Sequence, residues 1–121
     1  MSRVEQLNRV LRSLQSGSRD VEACVLISED GLVIASALPA HIQDMRVAGM
    51  SATMLSLGQR AATELERGKL TKVLIQGENG YVVMLSVGNG TLLLVITTHD
   101  AKLGLVFLDM DSAAAEIRKI I

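Results

Sequence analysis

The sequence predicts one α/β domain, an α+β sandwich in which helices cover both faces of a β-sheet. Apolar residues recur at three- and four-residue steps in three stretches, at the start, middle and end of the chain. Five short runs rich in β-branched residues lie between them, separated by glycine-bearing turns. Two of these runs, Val82-Val83-Met84-Leu85 and Leu92-Leu93-Leu94-Val95-Ile96, are apolar at every position. A strand with one wet face alternates, so a continuous run requires cover on both sides. The resulting order is α-ββ-α-βββ-α in a single domain over residues 1–121.

The first helix follows from Val4, Leu7, Val10, Leu11 and Leu14, which share one face. Ser2 is placed to cap it, with Glu5 three residues on, and Gly17 ends it. Strands at 21–28 and 32–37 flank the turn Glu29-Asp30-Gly31, and Pro39 closes this hairpin. A long helix is expected over 43–67, with Val47, Met50, Met54, Leu57, Ala61 and Leu65 as its core stripe and Gly68 as its stop. Strands at 71–76, 81–87 and 91–97 form an antiparallel meander through the turns Glu78-Asn79-Gly80 and Gly88-Asn89-Gly90. The last helix covers 102–120, lined by Leu103, Val106, Phe107, Met110, Ala114, Ile117 and Ile121, with Asp100 placed to cap it.

Composition narrows the function. Of 121 residues, 49% are apolar, yet there is one Phe, one Tyr and no Trp, so the core is aliphatic. That much aliphatic content in a short chain points to a buried interface besides a core. The net charge of -1 comes without a basic cluster, which argues against nucleic acid as a partner. The lone Cys24 excludes an intrachain disulfide and sits in an apolar run as a small hydrophobe, which fits a cytoplasmic setting. Met1-Ser2-Arg3-Val4-Glu5-Gln6 is polar and helical in pattern, unlike a signal peptide. No apolar run reaches the roughly 18 residues of a membrane span, so membrane insertion is not expected.

Catalytic patterns are missing. His41 and His99 are far apart, and neither has a metal-ligand neighbour at suitable spacing. There is no phosphate loop, and Gly88-Asn89-Gly90 joins two strands where a dinucleotide fingerprint joins a strand to a helix. Cys24 and the serines have no base at readable spacing. Glu29, Asp30, Glu64 and Glu66 fall at a turn or a helix end, where solvated charge is normal. No catalytic, cofactor-binding or metal-binding residue is nominated.

The hairpin Ser28-Glu29-Asp30-Gly31-Leu32-Val33-Ile34-Ala35-Ser36 resembles that of Roadblock (dynein light chain) domains. So do the turn Gly77-Glu78-Asn79-Gly80-Tyr81 and the run Thr97-Thr98-His99-Asp100 leading into Leu103-Gly104. The resemblance spans the whole chain, and its compact length is similar to the bacterial and archaeal, MglB-like members. It implies a five-stranded antiparallel sheet with the central helix on one face and the terminal helices on the other. It also implies a homodimer paired through the third strand, here Val73-Leu74-Ile75, with the central helices side by side. Such dimers commonly bind Ras-like small GTPases; others are passive scaffolds in signalling or motility complexes. Known GTPase-activating members arrange the GTPase's own residues, so neither Arg46 nor Arg60 on the central helix is taken as an arginine finger. The chain is therefore expected to be a binding or regulatory protein and not an enzyme.

The central helix has its own message. With Met54 set toward the sheet, Ala48, Ser51, Leu55 and Ala62 fall on one flank, small or apolar enough for a partner helix to approach. Met45, Gly49, Ala52 and Ser56 fall opposite the core with Arg60 at the rim, an uncharged face that suits partner docking. A small-molecule sensor is the weakest alternative, because the strands supply almost no convergent polar groups. Without a phosphate loop, the pure protein should neither bind nor hydrolyse GTP or ATP. Calorimetry is expected to show no binding at micromolar nucleotide, and a micromolar Kd would refute this.

Overall fold

The computed structural model describes residues 1–39, 42 and 44–121, with Asp44 through its backbone only. The expectations for His41 and Gln43 lie outside the described residues. The elements are α1 (Arg3–Gly17), β1 (Val21–Ser28), β2 (Val33–Ala37), α2 (Asp44–Glu64), β3 (Val73–Gly77), β4 (Gly80–Gly88), β5 (Thr91–Thr97) and α3 (Leu103–Ile120). The sheet order is β2-β1-β5-β4-β3, antiparallel throughout. As the apolar runs require, β4 and β5 each feed two cores. Val83, Leu85, Leu93 and Val95 pack with α1 and α3 residues such as Leu11, Met110 and Ile117. Met84, Leu92 and Leu94 pack on the other face with Ala48 of α2.

The rotation of α2 differs from the expected one. The face turned to the sheet is Ala48, Ser51, Leu55, Gly58 and Ala62. Ala48 is 0% and Ser51 2% exposed, while Met50 and Leu57 stand 54% and 55% exposed and Leu65 69%. The helix approaches the sheet so closely that a β-carbon at Gly58 would lie 2.9 Å from Val73 Cγ2 and 3.2 Å from Leu70 Cδ2. Small residues belong where backbones come close, and the larger apolar ones are displaced to a flank. The buried Ser51 hydroxyl is satisfied by donating to the Val47 carbonyl at 2.7 Å.

Helix ends and turns show where local signals held. Ser2 Oγ accepts from the Glu5 amide at 3.1 Å, as expected. The start of α3 is served from elsewhere: Asp20 Oδ2, and not Asp100, accepts from the Lys102 amide at 2.9 Å. α2 ends before Gly68. The Arg67 amide donates to Ala62 O at 2.7 Å and the Glu66 amide to Thr63 O at 3.1 Å, a Schellman closure with Glu66 at φ 57 as its left-handed residue. Of the two Asn-Gly pairs, Asn89 (φ 52) and Gly90 (φ 66) form the left-handed two-residue hairpin. In the β3–β4 turn only Gly80 has positive φ, at 154. A β-carbon there would collide with the Thr97 carbonyl. No helix among the described residues is long and apolar enough to cross a membrane.

These positions give opposite stability changes. Glu66→Gly relieves a left-handed strain and should raise unfolding free energy by up to about 1 kcal/mol. Gly80→Ala imposes strain and a steric clash and should lower it by about 2–3 kcal/mol. Urea unfolding midpoints read both.

Candidate functional site

An α-helix turns about 100° per residue, so with Ser51 facing the sheet the two flanks of α2 can be separated. Met54, Ala61, Met50 and Leu57 lie about 60–120° to one side. Ala52, Ser56 and Gly49 lie about 100–160° to the other. The flanks differ in chemistry.

The first flank is apolar and open. Met54 is half-buried, and Met50 and Leu57 are mostly exposed. Below it the sheet surface continues through Val73, Ile75, Val82 and Ile96, all only partly buried. β3 is the last strand of the sheet, so among the described residues no strand lies along its outer edge, and Leu74 is 46% exposed. Val73, Leu74 and Ile75 lie on this edge strand. Ala48 and Ser51 are buried within the chain. Leu55 packs on the α2-side core and lines the hollow described next, and half-buried Ala62 lies on the sheet-facing stripe.

The second flank borders a hollow of about 550 Å³ between α2 and the β1–β2 turn, lined by Ala52, Leu55 and Ser56 with Glu29, Asp30 and Lys69. An adjoining hollow of about 400 Å³ shares Ala52, Ser56 and Arg60 and adds Gly49 and, from the edge of the apolar flank, Leu57. Gly49, Ala52, Ser56 and Arg60 are thus brought together, though beside the hairpin turn and not opposite the sheet. Met45 stands a turn earlier, 86% exposed. The turn is firmly built. The Ser28 amide donates to Leu32 O at 2.8 Å, the Leu32 amide to Ser28 Oγ at 3.1 Å, and the Glu29 amide to Gly90 O at 2.8 Å. Gly31 has φ +85, and a β-carbon on it would lie 3.5 Å from Gly49 Cα, so turn and helix meet backbone to backbone. Across the helix, the Leu70 amide donates to Gln59 Oε1 at 3.2 Å, which ties the segment after α2 to the hollow. Charge is mixed, since Glu29, Asp30, Arg60 and Lys69 all line the hollow. Arg60 and Glu64 sit 4.0 Å apart but are more than 70% exposed, so their pairing contributes little.

Sequence reasoning missed the contribution of Glu29, Asp30, Lys69 and Leu70, which reach the hollow only through the fold. Of its expected core stripe on α2, Val47 and Met54 pack against the core, while Met50, Leu57 and Leu65 are exposed, and small residues at 48, 51, 58 and 62 already marked the sheet-facing side. No group of three metal-binding side chains occurs among the described residues. Cys24 is buried, its Sγ donates to Leu11 O at 3.3 Å, and burial pushes its thiol up to about 12.

The Roadblock/LC7 domain model matches residues 7–97. Two uncharacterized proteins of Methanocaldococcus jannaschii, MJ1340 and MJ0310, are each 33% identical over 112 residues, covering 93% of this chain and 96% of theirs. Among solved structures, Myxococcus xanthus MglB superposes with a TM-score of 0.89 at 23% identity, over 99% of this chain and 90% of that one. A Roadblock/LC7 domain from Streptomyces avermitilis gives 0.86 at 20% identity, over 93% and 94%.

Cys24 makes stability fall in alkali. An unfolded thiol loses its proton near its usual value of 9.0, while the folded one keeps it to about 12. Above pH 9 the unfolded state binds fewer protons, so this group's contribution declines as pH rises between the two values. Against Cys24→Ala, the stability advantage of the native residue should shrink by about 1.4 kcal/mol per pH unit above 9. Urea midpoints at pH 7, 9.5 and 10.5 measure it, and a constant gap would contradict it.

Proposed function

The chain belongs to the Roadblock/LC7 domain family, and from that premise we propose that it is a homodimeric, non-catalytic binding module for a Ras-like small GTPase. The observation that carries the reading is the open apolar flank of α2, continuous with the free edge of β3. Met50, Met54 and Leu57 with Leu74 and Ile75 form a surface that a second copy would cover, strand against strand and α2 against α2. An uncovered apolar sheet edge is an aggregation hazard, and pairing it with a copy removes the hazard. The sequence resemblance to MglB-like members, which pair in this way and bind Ras-like GTPases, supports both halves of the proposal.

The partner then has the other flank. Gly49, Ala52, Ser56 and Arg60 around the hollow, with Met45 beyond, stay accessible when the apolar flank is covered. Their small, uncharged centre and charged rim match the usual anatomy of a protein interface. On this reading any effect on hydrolysis acts by positioning residues of the GTPase.

Light scattering at micromolar concentration should give the mass of two 13.0 kDa chains. Leu57→Asp should give one folded chain, because a charge would enter the helix contact while the residue is exposed within its own protomer. Ser56→Arg and Ala52→Arg should keep the two-chain mass. Each should weaken binding to the host's purified Ras-like GTPase by about 30-fold, as for a 2 kcal/mol contact. GTP- and GDP-loaded forms are compared. Equal affinity for both would favour a passive scaffold, and unchanged binding by both arginine variants would move the docking site elsewhere.

A further inference from the structure

The free edge of β3 also fixes where the symmetry axis of a dimer can stand, an inference that rests on the dimer proposed above. A two-fold axis relating two neighbouring antiparallel strands is perpendicular to the sheet, so α2 of each copy lies on the same face. Opposed residues of an antiparallel pair point to the same face, and faces alternate along a strand. Val73 and Ile75 point to the α2 face, packed on its core. Leu74, between them, points to the α3 face, as does Lys72, whose Nζ lies 5.0 Å from the centroid of the Phe107 ring. A residue can then oppose only a residue an even number of positions away, and the axis must pass between one residue and its own copy.

We propose that the axis passes at Leu74. Leu74 then opposes the partner's Leu74, Val73 opposes the partner's Ile75, and Lys72 opposes the partner's Gln76. Every apolar side chain of the strand meets an apolar one. Moving the axis to Ile75 sets Leu74 against an amide and Val73 against Gly77. Its one gain is an exposed pair of Lys72 with the partner's Glu78, and exposed ion pairs contribute little. With the axis at Val73, Leu74 would face Lys72. At Gln76 it would face Glu78. Of the axes at Val73, Leu74, Ile75 and Gln76, only the one at Leu74 sets this side chain, 46% exposed in the single chain, against an apolar one.

Oxidative cross-linking of variants with one cysteine added to the native Cys24 tests the register. Cys24 does not compete, since its thiol is buried and protonated. Opposed residues in an antiparallel pair have Cα atoms about 4.5–5.5 Å apart, within disulfide range, while the next same-face residues are beyond about 7 Å. Leu74→Cys treated with copper phenanthroline should form covalent dimers at least tenfold faster than Ile75→Cys. A mixture of Lys72→Cys and Gln76→Cys chains should form the hetero-disulfide and little of either homo-disulfide. That second pair is largely solvent-facing and tests the register even if Leu74→Cys folds poorly. Faster linkage of Ile75→Cys, or homo-disulfides of Gln76→Cys, would overturn the Leu74 register. If light scattering still shows two chains, the dimer reading survives that result. A one-chain mass for the native protein would remove both.

Discussion

The close seating of α2 on the sheet sets much of the rest. Ala48, Ser51, Gly58 and Ala62 turn toward the strands, and at Gly58 there is no room for even one more carbon beside Val73 and Leu70. A helix that uses its smallest residues for its own core has its large apolar residues left over. On α2 these are Met50, Met54 and Leu57, gathered on one flank and extended by the half-buried sheet residues Ile75, Val82 and Ile96. The same seating brings the helix against the β1–β2 turn, where Gly31 and Gly49 meet, and so forms the hollow on the opposite flank.

The two faces of the sheet are unequally finished. On the α1–α3 side, Leu7, Leu11, Val106, Met110 and Ile117 are at most 1% exposed and close over the strands. On the α2 side one helix covers five strands, and the core residues Val25, Ile27, Met84, Leu92 and Leu94 are ringed by partly buried ones. A single helix is about 10–12 Å wide with its side chains, whereas five strands at about 4.8 Å spacing span roughly twice that. The shortage of cover on this face is geometric, and it places the open apolar surface beside β3.

Much of the fold was legible in the sequence because local signals and tertiary demands agreed. The bounds of β1 and β5 and the Ser2 cap follow from short-range chemistry. What failed did so for identifiable reasons. Hydropathy ranks Met50 and Leu57 above Ala48 and Ser51, so a stripe built on it rotates α2 toward its largest residues. Asp20 caps a helix 82 residues away, and no spacing rule anticipates it. Glu66 takes the left-handed position that a glycine would take more easily, so the helix stops before Gly68. In the hollow, Ala52 and Ser56 could be nominated from one helix, but Glu29, Asp30 and Lys69 converge on them only in three dimensions.

Side chains on the two flanks of α2 point to opposite sides of the sheet-facing stripe, and the flanks meet at Leu57, which also lines the smaller hollow. Substitutions more than about 7–10 Å apart with no common partners change free energy nearly additively. A lineage could therefore exchange residues around Gly49, Ala52 and Ser56 without disturbing Met50 and Met54, and the reverse. One helix would then carry two traits that selection can tune separately, so copies of such a gene could drift apart on one flank while the other kept its old fit.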